Sequence, residues 1–335
     1  MAYRATQVAP EPLMYFYQEN ESPLRVGDVV LRANQDPKEI FSRLIRMATN
    51  SHWSHCALLY MLHDSNLGFD KTFLVEAMTQ GARVTSWNKE VEPPEHFTVG
   101  IKRLQMDWYT ESPEKQAHHV ERQREDTHGI AYLHHVRGMA LDQIESLYDH
   151  KVVDELTALY LERVFKRRLG AIPILAQAAG YFAERFRKKD DALAKQEHLM
   201  RFICSGLVQY SFFEALRCDI SNDLSIPENR DAGIQNLQNL HQVIFCPDPN
   251  GVIDDYIRRV KMGQWDIGES APDTVLDLLK TTTPADFNDS SKVVWRYIIR
   301  KGVVWKIDTM VDDSEPQSQN ERDVLALMEP EHQKE

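Results

Sequence analysis

Cysteine is scarce in this chain: four in 335 residues, at positions 56, 204, 218 and 246, with no CxxC pair. That spacing excludes a disulfide framework and a cysteine-rich zinc site, and reduced thiols in a cytosolic fold are the expectation. Positive charge is also in deficit, 51 acidic against 39 basic residues, for a net charge of -12. Such a surface repels nucleic acid and anionic membrane at long range, so no nucleic-acid partner is expected. Neither G-x-x-x-x-G-K-[ST] nor G-x-G-x-x-G occurs, and no cofactor is implied. The opening "MAYRATQVAPEPLMYFYQ" lacks a basic stretch followed by an apolar one. Cytoplasmic localisation is therefore expected, with any export left to a dedicated secretion machine. The histidine pairs His118/His119 and His134/His135, with His128 between them, have no supporting Cys or Asp spacing, and neighbours on a helix point apart. No metal is expected. Internal repeats are absent.

What remains is an ordinary apolar content and enough length for a sizeable core. Period-two runs bounded by Gly, Asn, Asp or Pro predict strands at "GDVVLRAN", "WSHCALLYML", "KTFLVEAM", "ARVTSW" and "HFTVGIKRL", with a helix at "DPKEIFSRLIRMATN" between the first two. The spacing of the last four runs is that of a meandering antiparallel sheet. Five segments follow: an irregular arm over 1–22, a sheet half over 23–106, a helical insertion over 107–198, a nucleophile helix with closing strands over 199–310, and a polar tail over 311–335. Within the fourth, the reading is a helix from Cys204 to about Leu216, a Pro/Asn/Asp-rich linker, a helix near "NGVIDDYIRRVKMG" and a strand pair in "KVVWRYIIRKGVVWKI". The fold class is α+β.

Cys204, in "RFICSGLVQY", stands where a helix begins. Backbone N–H groups at a helix N-terminus favour negative charge and lower a thiol's pKa, which suits a nucleophile; a buried structural thiol fits the same position. A cysteine nucleophile needs a base, and His55 opens a strand on which Trp53, Ala57 and Leu59 alternate with it. His52, three residues earlier, falls on the opposite face. On the following strand Glu76 sits in apolar surroundings, where a carboxylate has to be paired or hydrogen-bonded, or else face water from a wet side of the sheet.

The succession "GDVVL", "FSRLIRMATNSHWSHCALLY", "FLVEAM" and "FICSGLVQYSF" resembles the permuted NlpC-type papain-like amidases of the YiiX type, and "TTTPADFNDSSKVVW" is similar to the Thr/Pro/Asp segment that closes that family. The resemblance implies a circularly permuted papain-like core with an antiparallel sheet and a helical insertion. It also implies the catalytic order His55, Glu76, Cys204: Cys204 attacks a carbonyl carbon, His55 takes or holds the proton, and Glu76 orients the ring. Gly206 departs from the pattern, since the family more often carries an acidic residue after Cys-Ser. The backbone N–H of Cys204 is the first oxyanion donor, and Ser54 and Ser205 are candidates by adjacency only.

By that resemblance the chain is expected to be a cysteine hydrolase acting on peptidoglycan-type peptides, and an acidic chain with no visible signal peptide that attacks cell wall or lipid fits a secreted effector toxin with an immunity protein as partner. Two other readings stand beside it. One is a lipid-directed thioesterase, acyl hydrolase or acyltransferase taking an acyl substrate. Its motive is the apolar run from Leu169 to Phe182, which is too short to span a bilayer but is flanked by basic clusters suited to weak membrane-surface contact. The other is a non-catalytic binding protein in which the three residues are incidental.

Overall fold

A computed structural model describes residues 2–9, 12–16, 23–34, 39–63, 71–78, 81–92, 96–120, 128–144, 146–148 and 201–310. Most of the expected insertion, including the run from Leu169 to Phe182, and the expected tail at 311–335 lie outside the described residues.

The described elements run β1 (Ala2–Ala9), α1 (Pro12–Phe16), β2 (Val29–Asn34), α2 (Ile40–Thr49), β3 (His55–Met61), β4 (Phe73–Met78), β5 (Gly81–Ser86), α3 (Asn88–Val91), β6 (Phe97–Leu104), α4 (Pro113–Val120) and α5 (Ile130–Leu141). After the short parallel pair β7 (Leu147–Tyr148) and β8 (Arg201–Phe202) come α6 (Cys204–Ser225), α7 (Arg230–Gln238), α8 (Val252–Lys261), α9 (Asp273–Lys280), α10 (Pro284–Asp289), β9 (Val293–Arg300) and β10 (Val303–Met310). The class is α+β, as the sequence indicates.

Eight strands form one antiparallel sheet in the order β1-β10-β9-β6-β2-β3-β4-β5. Of the four strands expected to meander, β3, β4 and β5 do so, with β2 paired ahead of them, but β6 does not follow β5: it crosses back to pair with β2, Val30 opposite Ile101. Alternation identifies a strand without naming its neighbour. β9 then extends the sheet from β6, and the arm expected to be irregular supplies β1, an edge strand paired along β10 from Ala2 opposite Met310 to Ala9 opposite Val304. The ladder, more than burial, holds it there, since Arg4, Thr6, Gln7 and Val8 are exposed.

The sheet has a core on each face. One contains Val30, Ala57, Leu59, Leu74, Val99 and Ile101 under Phe16 and Trp87. The other contains Leu31, Cys56, Leu58, Val75 and Ala77, and packs against α6 through Leu207, Val208 and Phe212. α6 is longer than expected, reaching Ser225, and its residues from Cys204 to Leu216 are all buried. α6 is surrounded by β3, β4, α5, α7 and α9, and the polar residues it buries are paired, Arg217 with Glu214 and Gln209 with the Val243 carbonyl. The stretch expected as a linker is helical: it contains the end of α6 and all of α7.

Candidate active site

Cys204 is the first residue of α6, preceded by Ile203 in extended backbone, so the chain turns from strand to helix at the thiol. Two close approaches fix that turn. At Gly206 an added Cβ would lie 2.8 Å from the Lys280 carbonyl oxygen, so only glycine lets the end of α9 close on the first turn of α6. The departure from the acidic residue has a packing cause. Beside it the Ser205 hydroxyl donates to the Thr282 carbonyl at 2.6 Å. Thr283 then caps α10 in a reciprocal capping box with Asp286.

His55 is the first residue of β3. The strand's faces are divided differently from the expectation: Trp53 and Cys56 lie in the core that holds Cys204, whereas Ala57 and Leu59 lie in the opposite one. His55 alternates with Ala57, yet it stands at the strand end, where the sheet no longer separates its two sides, and its ring reaches the sulfur there. The residues before it are braced. Ser54 N–H and Oγ both donate to the Arg32 carbonyl, and the Ser42 hydroxyl donates to Ser54 Oγ at 2.6 Å. Trp53 Nε1 donates to Asn288 Oδ1 at 2.9 Å. The buried Lys102 ammonium secures that end of α10 by donating to the carbonyls of Phe287, Asn288 and Ser290. Burial brings the Lys102 pKa down to about 7, against the pull of Asp289.

Glu76 lies in the middle of β4, fully buried. Antiparallel pairing sets Leu58 opposite Val75, which makes Glu76 a diagonal neighbour of His55 from one side. On the other side, Arg83 is directly opposite in β5. The carboxylate is divided accordingly. Oε2 accepts from His55 Nε2 at 2.7 Å. Oε1 accepts from Arg83 Nε at 3.0 Å, Arg83 Nη2 at 2.9 Å and Thr85 Oγ1 at 2.7 Å. These donors answer the desolvation that a buried carboxylate incurs.

With Nε2 committed to Glu76, the ring's other nitrogen, Nδ1, is left to meet the Cys204 sulfur, with which His55 hydrogen-bonds. The sulfur also accepts from the backbone N–H groups of Cys56 and Ser205. The electrostatics follow from this geometry. Burial opposes charge on His55, but the Cys204 thiolate and then Glu76 outweigh it and raise the imidazole pKa to about 10. Burial likewise opposes the Cys204 thiolate, and the imidazolium, aided by the two amides, overturns it and holds the thiol below its ordinary value. Glu76, despite burial, is held well below the usual carboxylate range by His55, Thr85 and Arg83. All three shifts favour a thiolate–imidazolium pair over an ionised carboxylate. The neighbouring thiol of Cys56 is pushed up by burial and by the Cys204 charge.

All three residues singled out in the sequence are thus brought together, each from a different element. Ser54 and Ser205, by contrast, direct their hydroxyls at backbone carbonyls of their own surroundings. His52 lies in the turn before β3, with its pKa brought to about 4 by burial and by Arg46 and Arg300. Among the described residues no group of three or more His, Cys, Asp or Glu is arranged to hold a metal ion, and no helix is long and apolar enough to cross a membrane. The side chains of His118 and His119 lie outside the described residues. Sequence reading passed over Arg83 and Thr85. Their signal is the polar alternation in "GARVTS", two residues apart on the strand next to Glu76. In comparisons with known proteins the chain matches no family model and no curated sequence.

Proposed function

We propose that this chain is a cysteine hydrolase working through an acyl-enzyme, with Cys204 as nucleophile, His55 as acid and base, and Glu76 as the group that orients and charges the ring. The observation that carries this reading is the convergence on one sulfur of a helix N-terminus, an imidazole and a buried carboxylate behind that imidazole. The Cys204 thiolate adds to the carbonyl carbon. His55, already protonated, gives its proton to the leaving nitrogen as the C–N bond breaks, and a thioester remains. Neutral His55 then takes a proton from water as that water attacks the thioester, and the thiolate leaves. The N–H of Cys204 is among the first four of α6, which lack intrahelical acceptors, and it is the donor assigned to the oxyanion.

The permuted papain-like fold is part of the same proposal. It rests on the chain order His, Glu, Cys and on a nucleophile helix packed against an antiparallel sheet. An amide of a peptidoglycan-type peptide is the substrate class proposed, on the resemblance of the motifs around His55, Glu76 and Cys204. Incubating purified protein with muropeptides tests it. New amine ends that depend on Cys204 are expected, and cleavage that persists in Cys204→Ala contradicts the assignment.

A further inference from the structure

We infer that Arg83 and Thr85 are positioning residues for this site: from β5 they clamp one oxygen of Glu76 so that the other is presented to His55. The inference rests on the cysteine-hydrolase reading and adds to it the support that lets Glu76 act.

Glu76 is on the middle strand of three, with His55 diagonal on β3, Arg83 directly opposite on β5, and Thr85 two residues further along β5 on the same face. The donors do not share the carboxylate evenly: three reach Oε1, and the imidazole meets Oε2. A carboxylate held at one oxygen by a guanidinium from two of its nitrogens cannot rotate about its terminal bond without losing those contacts. The free oxygen is therefore fixed in the plane in which it meets the ring. The charge is fixed too, because Arg83 and Thr85 are among the groups that hold Glu76 ionised against burial. Thr85 and Glu76 are buried, but the Arg83 side chain is 45% exposed. The clamp is thus reachable from solvent, although the carboxylate it serves is not.

That exposure makes the inference testable without knowing the substrate. The rate of Cys204 alkylation by iodoacetamide at mildly acidic pH reports how well the imidazolium is maintained. Arg83→Ala should lower that rate about tenfold, the worth of one pKa unit. Guanidinium ion at millimolar concentration, far below the molar range that unfolds proteins, should restore much of it. Thr85→Val, close in volume, should lower the rate less, and Arg83→Lys should retain most of it. In a Glu76→Gln background Arg83→Ala should add nothing further, since its effect passes through the carboxylate. An unchanged rate in folded Arg83→Ala overturns the inference, as does a loss that guanidinium does not relieve and that adds in full to Glu76→Gln. If Arg83→Ala does not fold, the same decision passes to Thr85→Val with and without Glu76→Gln. Failure of the underlying reading looks different, for then Cys204 in the parent protein reacts no faster than Cys218.

Discussion

His55 hydrogen-bonds the buried carboxylate of Glu76 and His135 that of Asp219, and comparing the two pairs separates what holds a protein together from what makes it reactive. The second pair is as tight as the first: His135 Nδ1 meets Asp219 Oδ1 at 2.5 Å, and Asp219 Oδ2 also accepts from Tyr109 Oη at 2.7 Å and lies 3.2 Å from Lys115 Nζ. Asp219 is on α6, like Cys204, but fifteen residues on, roughly 22 Å along the helix. There it ties α4 and α5 to α6, and Lys115 reaches Asp223 one turn further at 3.1 Å. His135, whose side chain is 47% exposed, is raised above its ordinary pKa by the Asp219 hydrogen bond, with burial opposing. A histidine on a carboxylate is therefore not a sign of catalysis by itself. The difference is the thiol: His55 has a sulfur at a helix start on its other side, and none is described beside His135.

The comparison breaks most visibly at the nucleophile. Cys204→Ala should abolish hydrolysis, a loss of about 10⁴-fold or more, while His135→Ala should leave the specific activity of the folded enzyme within about twofold. Measuring turnover of both variants on the same muropeptide decides it. Next come the carboxylates. Asp219→Asn leaves His135 without its counter-charge and Lys115 with Asp223 alone, and should cost about 1–3 kcal/mol in denaturant unfolding, with turnover unchanged below the transition. Glu76→Gln should lower kcat by about 10²-fold at temperatures where it remains folded.

The smallest effect is on pH. The folded pKa of His135 is raised, so its contribution to stability is fully present below the unfolded value near 6.5 and is lost as pH rises through the folded value. His135→Gln should therefore lower the melting temperature by about 2–4 °C near pH 6 and by less at pH 9, as followed by calorimetry. Activity depends on its own histidine with the same sign, since it too needs the protonated ring. With His55 at about 10, turnover should hold well above neutral pH before its alkaline limb begins.

These pairs also mark where sequence reading succeeds and where it stops. Strands β2 to β5 and the last two strands are visible because alternation and glycine or proline boundaries are local. The pairing of β6 with β2 is not, since register depends on the partner. The true length of α6 was hidden by its own chemistry. Asp219 and Asp223 interrupt the apolar pattern, and their reason for being buried is Lys115 and His135, 84 to 108 residues earlier in the chain on α4 and α5. Cys204, His55 and Glu76 are visible because residue type, local setting and order agree. Arg83 is not, because an arginine on an edge-strand pattern reads as solvated until Glu76 is seen directly opposite it.

The central claim is that His55 and the start of α6 make Cys204 a thiolate. Iodoacetamide labelling of the folded protein at mildly acidic pH, read peptide by peptide in mass spectrometry, tests it directly. Cys204 should be modified first and Cys56, Cys218 and Cys246 slowly, since burial pushes all three of those thiols up. His55→Ala should slow Cys204 by at least about tenfold, and His135→Ala should leave it unchanged. If Cys204 is labelled no faster than Cys218, or if His55→Ala leaves its rate untouched, the account is contradicted.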